Sequence, residues 1–239
     1  MFNQHHETQR SPRPARAALF DVDGTLVDTN DLHAEAWRVA FAHFGHEIAP
    51  AAIREQIGKG GDNLIPTLLP DISDAQAEEM DAWRGDLFKR DFLPRATPFP
   101  GVRDLFERLV ADGVKIVLAS SSSRPEVDYH LGLIACADLV SAVTTKDDVE
   151  SSKPCPDIFA AALAKVAPIT ADQALVIGDT PWDVIAAAKV GVRTIGFLSG
   201  GFPERQLRES GAAFVYGGPA DLLARFDQSP FGAPAHADA

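Results

Sequence analysis

Five short runs in this 239-residue chain are almost wholly apolar, and helical patterns separate them. They span 17–22, 114–119, 139–143, 174–177 and 193–198, with 213–216 as a weaker sixth. A strand with one wet face alternates apolar and polar residues, whereas a continuous apolar run suits a strand covered on both faces. Helical stretches at 101–112, 124–132, 156–167 and 181–190 lie between the runs. That order predicts an α/β fold built on a doubly wound parallel sheet.

Residues 30–98 break the rhythm. They show no strand pattern, only helical stretches at 31–45, 50–57, 62–69 and 74–92, so they read as a helical subdomain inserted after the first strand. Pro94, Pro98 and Pro100 punctuate the return to the sheet. Residues 1–16 read as a flexible leader and 229–239 as a flexible tail, which leaves 17–29 plus 99–228 as the core domain. Trp37, Phe41 and Phe44 recur at helical spacing and are expected to pack inside the insertion. Trp182 is expected to pack against the sheet domain.

Charge narrows the partners. With 22 basic and 34 acidic residues the formal net charge is −12, which disfavours nucleic acid and anionic membranes, since both are bound through clustered Lys and Arg. Two cysteines, Cys136 and Cys155, without a CxxC pattern predict reduced thiols. No stretch approaches the roughly 18 apolar residues of a membrane span, and 1–16 lacks the apolar core of a signal peptide. The expected location is cytoplasmic.

In open α/β sheets, ligands bind beyond the carboxyl ends of the strands. The first run ends in Asp21 and Asp23, within FDVDGTLVDT; the second ends in Ser120, Ser121, Ser122 and Ser123; the fourth ends in Gly178, Asp179 and Asp183, within IGDTPWD. Gly24 permits a turn after the two carboxylates, so that one can attack while the other handles a proton. Asp179 and Asp183 add negative charge that requires a cation. An all-oxygen donor set favours a hard ion, Mg²⁺ before others.

These strings resemble a known family. FDVDGTLVDT is similar to the first motif of the haloacid dehalogenase-like (HAD) superfamily, LASSSS (118–123) to the second, SSKPCPDIF (151–159) to the third and VIGDTPWD (176–183) to the fourth. The resemblance implies that Asp21 is the nucleophile, forming an aspartyl-phosphate, and is ionised at pH 7 with a pKa near or below about 3.9. It implies that Asp23 acts as general acid and then general base. Ser120 and the backbone N–H of Ser121 would bind phosphoryl oxygens, and Lys153 would neutralise charge between nucleophile and phosphate. Mg²⁺ would be held by Asp21, the Asp23 carbonyl and Asp179, with Asp183 acting through water or orienting Lys153.

The insertion, 30–98, resembles the cap of HAD subclass I, which closes over the site. Its loop IGKGGDNL (57–64) would offer Lys59 and Gly60 to substrate, and His33 would stand near the entrance. The implied activity is Mg²⁺-dependent hydrolysis of a small phosphorylated metabolite, in the style of phosphoglycolate phosphatase. Asp23 argues against a dehalogenase and a phosphonoacetaldehyde hydrolase; Val22 and the lack of spans exclude a P-type ATPase. A beta-phosphoglucomutase-like mutase is the alternative, although it carries Glu-Asp where this chain has Gly178-Asp179, and its cap arginine has no counterpart in 57–64. An inactive HAD-like binding module would have lost Asp21, Asp23 or Asp179. The sequence does not fix the oligomeric state.

Overall fold

The computed structural model of the chain describes residues 15–232. Six parallel strands form the central sheet: β1 (Ala17–Phe20), β4 (Lys115–Ala119), β5 (Ala142–Thr144), β6 (Ala174–Gly178), β7 (Arg193–Phe197) and β8 (Phe214–Tyr216). Their order is β5-β4-β1-β6-β7-β8, so the chain leaves β1 toward one edge and later returns to build the other. β1 pairs with β4 and β6 in parallel, Leu19 lying between Val117 and Val176. Both of its edges are therefore satisfied and both faces covered.

Alternate residues of these strands feed two separate cores, as the two-residue period of a strand requires. Ala18, Phe20, Ile116, Leu118 and Ile177 face α5 (Val102–Ala111) and α10 (Pro219–Ala224). Leu19, Val117, Ala119 and Val176 face α7 (Asp157–Ala164) and α8 (Pro181–Lys189). Each fully buried Phe or Leu stabilises this arrangement by roughly 1.5–3 kcal/mol. Helices α6 (Arg124–Ile134) and α9 (Glu204–Glu209) complete the layers.

Residues 30–95 are helical: α1 (Asn30–His43), α2 (Pro50–Gln56), α3 (Gly61–Leu68) and α4 (Asp74–Leu87), followed by a π-helical turn (Phe88–Phe92) and a 3-10 turn (Leu93–Arg95). They enclose their own apolar cluster, including Trp37, Phe41, Ile53, Leu64 and Met80, with Phe44 partly buried against it. The two chain crossings between core and insertion pair as a short antiparallel ribbon, β2 (Val27–Asp28) with β3 (Thr97–Pro98).

Several expectations need correction. The strand expected at 139–143 lies at Ala142–Thr144, because pairing with Val117 sets its register while Leu139 closes a turn onto the Cys136 carbonyl. The helix expected over 74–92 stops at Leu87; Pro94 has no N–H to offer the carbonyl four residues back, and the chain changes helix type before it. Most of the predicted leader and the tail from 233 onward lie outside the described residues. Ala15, assigned to that leader, is buried, and its N–H reaches the Pro230 carbonyl. Residues 229–232, assigned to the tail, pack as well: Phe231 is 3% exposed and stacks on Phe226. Among the described residues no helix is long and apolar enough to cross a membrane.

Candidate active site

β1 delivers Asp21 to the carboxyl edge of the sheet, where its N–H still bonds the Ile177 carbonyl of β6. The chain then turns sharply, with the Val22 carbonyl accepting from Leu26 and Val27. Gly24 makes the turn possible: its φ is +75°, and a Cβ there would collide with Asn30 and Asp179. Asp21 and Asp23 consequently point into different surroundings.

The Asp21 carboxylate is 2% exposed and accepts from the Lys153 ammonium at 2.8 Å. Lys153, itself buried, also bonds Asp183 at 2.8 Å. Burial opposes its charge, but the Asp183 and Asp21 carboxylates hold the ammonium strongly protonated. Asp21 stands well above the ordinary carboxylate range, not near or below it as expected from sequence. Burial is the main cause, and the charges of Asp183, Asp179 and Asp23 add to it against the pull of Lys153.

Asp179 begins the loop after β6 and is fully buried. Thr25 donates to its Oδ1 at 2.9 Å and Asn30 to its Oδ2 at 2.6 Å. Burial, with the charge of Asp183, nevertheless pushes it up to about 7. Asp183 completes the capping box of α8, its Oδ2 accepting from the Thr180 N–H and hydroxyl. One oxygen from each of Asp21, Asp179 and Asp183 lies within 4.8 Å of the other two. Three buried carboxylates against one ammonium leave negative charge uncompensated, and the donors are all hard oxygens. Beside them Asn30 keeps a buried Oδ1 with no partner among the described residues. This donor set fits Mg²⁺. The Asp23 side chain is not part of the cluster.

Asp23 instead sits among donors. Ser122 bonds its Oδ2 at 2.8 Å, and Thr29 bonds its Oδ1 at 2.7 Å. His33 Nε2 is 3.0 Å and His130 Nε2 3.4 Å from the same oxygen. Burial works against the charge, yet His33 and His130 hold this carboxyl well below its usual range. Arg84 of α4 bonds the other ring nitrogen of His33. A guanidinium only donates, so Nδ1 accepts and the Nε2 proton faces Asp23. Burial, helped by Arg84 and resisted by Asp23, lowers the His33 pKa.

These groups open onto a cavity of about 220 Å³ between the sheet edge and the insertion, which Lys59, Gly60, Ser121 and Arg84 also line. The Ser121 hydroxyl is buried without a partner among the described residues, whereas the Ser120 hydroxyl accepts from the Ser122 N–H at 3.0 Å. Lys59 places its ammonium over the Trp182 ring at 4.1 Å and bonds Thr67. Trp182 therefore meets the insertion, beyond the sheet-domain packing expected for it. The Gly60 N–H is taken by the Ser152 hydroxyl at 2.9 Å, and Asp62 accepts from Ser152 in turn. A Cβ on Gly60 would lie 2.7 Å from that serine, so this glycine serves close approach between the loops.

A profile of the haloacid dehalogenase-like hydrolases matches residues 18–197, most of the chain. The chain belongs to this family. Among relatives of this haloacid dehalogenase-like hydrolase is the phosphoglycolate phosphatase of Yersinia pseudotuberculosis, 31% identical over 190 residues, covering 77% of this chain and 82% of the relative. Another is the validoxylamine A 7'-phosphate phosphatase of Streptomyces hygroscopicus, 24% identical over 184 residues, covering 77% and 86%. The crystal structure of a hydrolase from Pseudomonas syringae superposes with a TM-score of 0.83 at 32% identity, covering 89% of this chain and 98% of that one.

Sequence reasoning on this hydrolase missed Arg84 and His130 and did not single out Ser122. Ser122 was one of four equivalent serines. His130 lies two turns into α6, and Arg84 sits in a helix whose polar residues carry no distinguishing pattern. Thr29 and Asn30 were legible in part, as polar residues one turn before His33 on α1.

Proposed function

We propose that this chain hydrolyses a small phosphate monoester with Asp21 as nucleophile and Asp23 as proton donor and acceptor. The observation that carries the reading is the division between the two carboxylates: Asp21 faces Lys153, whereas Asp23 faces histidines and hydroxyls. An Asp21 oxygen would attack phosphorus, and the bond from phosphorus to the ester oxygen would break. Asp23 would pass a proton to the departing alkoxide. It starts as a carboxylate; the substrate phosphate brought against it raises its proton affinity, and it takes the proton it will donate from the phosphate monoanion or from water before the ester bond breaks. Water would then attack the aspartyl-phosphate, giving its proton to Asp23 and releasing inorganic phosphate with Asp21 restored.

Lys153 holds the nucleophile in place and offers positive charge where phosphoryl oxygens arrive. Asp183 orients Lys153. Ser121 has a hydroxyl unpartnered among the described residues that would meet a phosphoryl oxygen, and Ser120 steadies the loop that presents it. Asp21, Asp179 and Asp183 would hold Mg²⁺, which when bound supplies charge neutralisation for the phosphoryl oxygens. His33, its proton directed at Asp23, keeps that carboxyl aimed.

The relatives named as phosphatases support the same class of substrate, a small phosphorylated metabolite. A binding module would not retain Asp21, Asp23, Lys153 and Asp179 in this arrangement. The test is phosphate release from p-nitrophenyl phosphate with and without Mg²⁺. Turnover that ignores Mg²⁺, or that survives Asp21→Asn, overturns the reading. Isomerised hexose phosphate without net phosphate release would replace it with the mutase.

A further inference from the structure

Two residues that line the cavity, Arg84 of α4 and Glu126 of α6, each keep one buried charged-group atom, Nε and Oε1, with no partner among the described residues, as Ser121 and Asn30 keep a neutral one. Neither side chain is loose. Glu126 is 4% exposed, and its other oxygen accepts from the Ser123 N–H and hydroxyl at 2.9 and 2.6 Å, in the capping box of α6. Arg84 lies between the Trp37 and Phe88 rings, 4.9 Å from each, and bonds His33. The two charges act on each other, yet no ion pair joins them among the described residues.

The place of Arg84 in the cavity follows from the chain of contacts Asp23–His33–Arg84, which runs from the proton donor toward α4, and Glu126 acts by charge on both His33 and Arg84. Arg84 is thus on the side from which the leaving oxygen departs. A donor and an acceptor left open beside that oxygen are best matched by a ligand group that can serve both. A hydroxyl does: it accepts from a guanidinium N–H and donates to a carboxylate. A carboxylate on the leaving group would satisfy Arg84 but face Glu126 with like charge, and an ammonium would do the reverse. The cavity is below the ~300–1,000 Å³ of drug-sized sites, which suits a small ester.

We infer that Arg84 and Glu126 form a leaving-group subsite for a neutral, polyhydroxylated alcohol, so that the substrate is the phosphate ester of a polyol or sugar and not of a hydroxy acid or amino alcohol. This rests on the phosphatase reading above and assigns its substrate class. Glu126 is here a specificity residue of the core, and Arg84 its counterpart from the insertion.

The test measures kcat/KM of the full chain with Mg²⁺ on glycerol phosphate, glucose 6-phosphate, phosphoglycolate, phosphoethanolamine and p-nitrophenyl phosphate. The hydroxylated esters should exceed both charged ones by about tenfold or more, the scale on which mismatched buried polar groups discriminate. Glu126→Gln keeps an oxygen for the α6 cap and should shrink the preference for glycerol phosphate over phosphoglycolate about tenfold. A wild-type preference for phosphoglycolate or phosphoethanolamine overturns the inference, and that comparison needs no variant. An unchanged ratio in Glu126→Gln also overturns it. If p-nitrophenyl phosphate is hydrolysed but no preference appears, the subsite falls and the phosphatase reading stands. If no ester releases phosphate, both fall.

Discussion

The Lys153 ammonium lies 2.8 Å from the Asp21 carboxylate, and neither group is more than 2% exposed. With Asp183 also 2.8 Å from the ammonium, burial exchanges its hydration for two strong contacts, so removing Lys153 strands two carboxylates. Lys153→Met should therefore cost about 3–5 kcal/mol of stability and abolish turnover. Lys153→Arg should not restore activity, because a planar fork cannot occupy the point between Asp21 and Asp183. Urea denaturation and steady-state kinetics on the two variants check this. A fully active arginine variant would show that charge alone suffices.

Three crowded carboxylates make the fold itself sensitive to a cation. Mg²⁺ at about a hundred times its dissociation constant should stabilise the protein by about 2.7 kcal/mol, seen as a rise in melting temperature that EDTA reverses. Asp179→Asn should erase that rise while relieving repulsion in the metal-free protein. An equal Mg²⁺ response in the variant would place the ion elsewhere.

His33 acts on Asp23 through one hydrogen bond. His33→Ala should slow hydrolysis of alkyl phosphates by about 10²-fold, the lower end for proton-transfer roles. The loss should be smaller for p-nitrophenyl phosphate, whose phenolate departs without a proton. Equal losses on both would indicate damaged packing against Phe88, on which the imidazole stacks at 4.0 Å.

Gly60→Ala probes contact between the two loops. Its added methyl would meet Ser152, and forced overpacking typically costs 1–3 kcal/mol, here confined to a surface loop. KM should rise and amide exchange over 57–64 should quicken, with little change in global melting temperature. Unaltered exchange would mean that Ser152 yields instead.

The sheet was legible because its strands are buried on both faces, and burial writes itself as unbroken apolar runs. Asp21, Asp23 and Asp179 were legible because they follow those runs directly. Lys153 follows no run, and only its resemblance to a motif marked it. Arg84 left no trace in the sequence, being one polar residue among many on a helix; Glu126 is legible as the fourth residue of a Ser123-x-x-Glu126 capping box, but only tertiary packing brings it to the cavity. Helices α9 and α10, six residues each, span too few turns for a period to emerge. Asp21 stands above its expected range chiefly because folding buries it; the neighbouring carboxylates were legible, but the depth at which the carboxyl edge of the sheet would seat it was not.

Asp28 and Thr97 face each other in the β2–β3 ribbon although 68 residues lie between them in the sequence. Opposed antiparallel residues sit only about 4.5–5.5 Å apart, a gap that an ordinary hairpin turn closes. The helical insertion is therefore a detachable piece of architecture. Splicing a two-residue turn between Asp28 and Thr97 would leave every strand of the sheet with its neighbours and keep Asp21, Lys153, Asp179 and Asp183 together. Such a miniature would keep the carboxylate cluster and Glu126 while removing Arg84, His33 and Asn30, and so would show how much of the chemistry the insertion lends to Asp23 and Asp179.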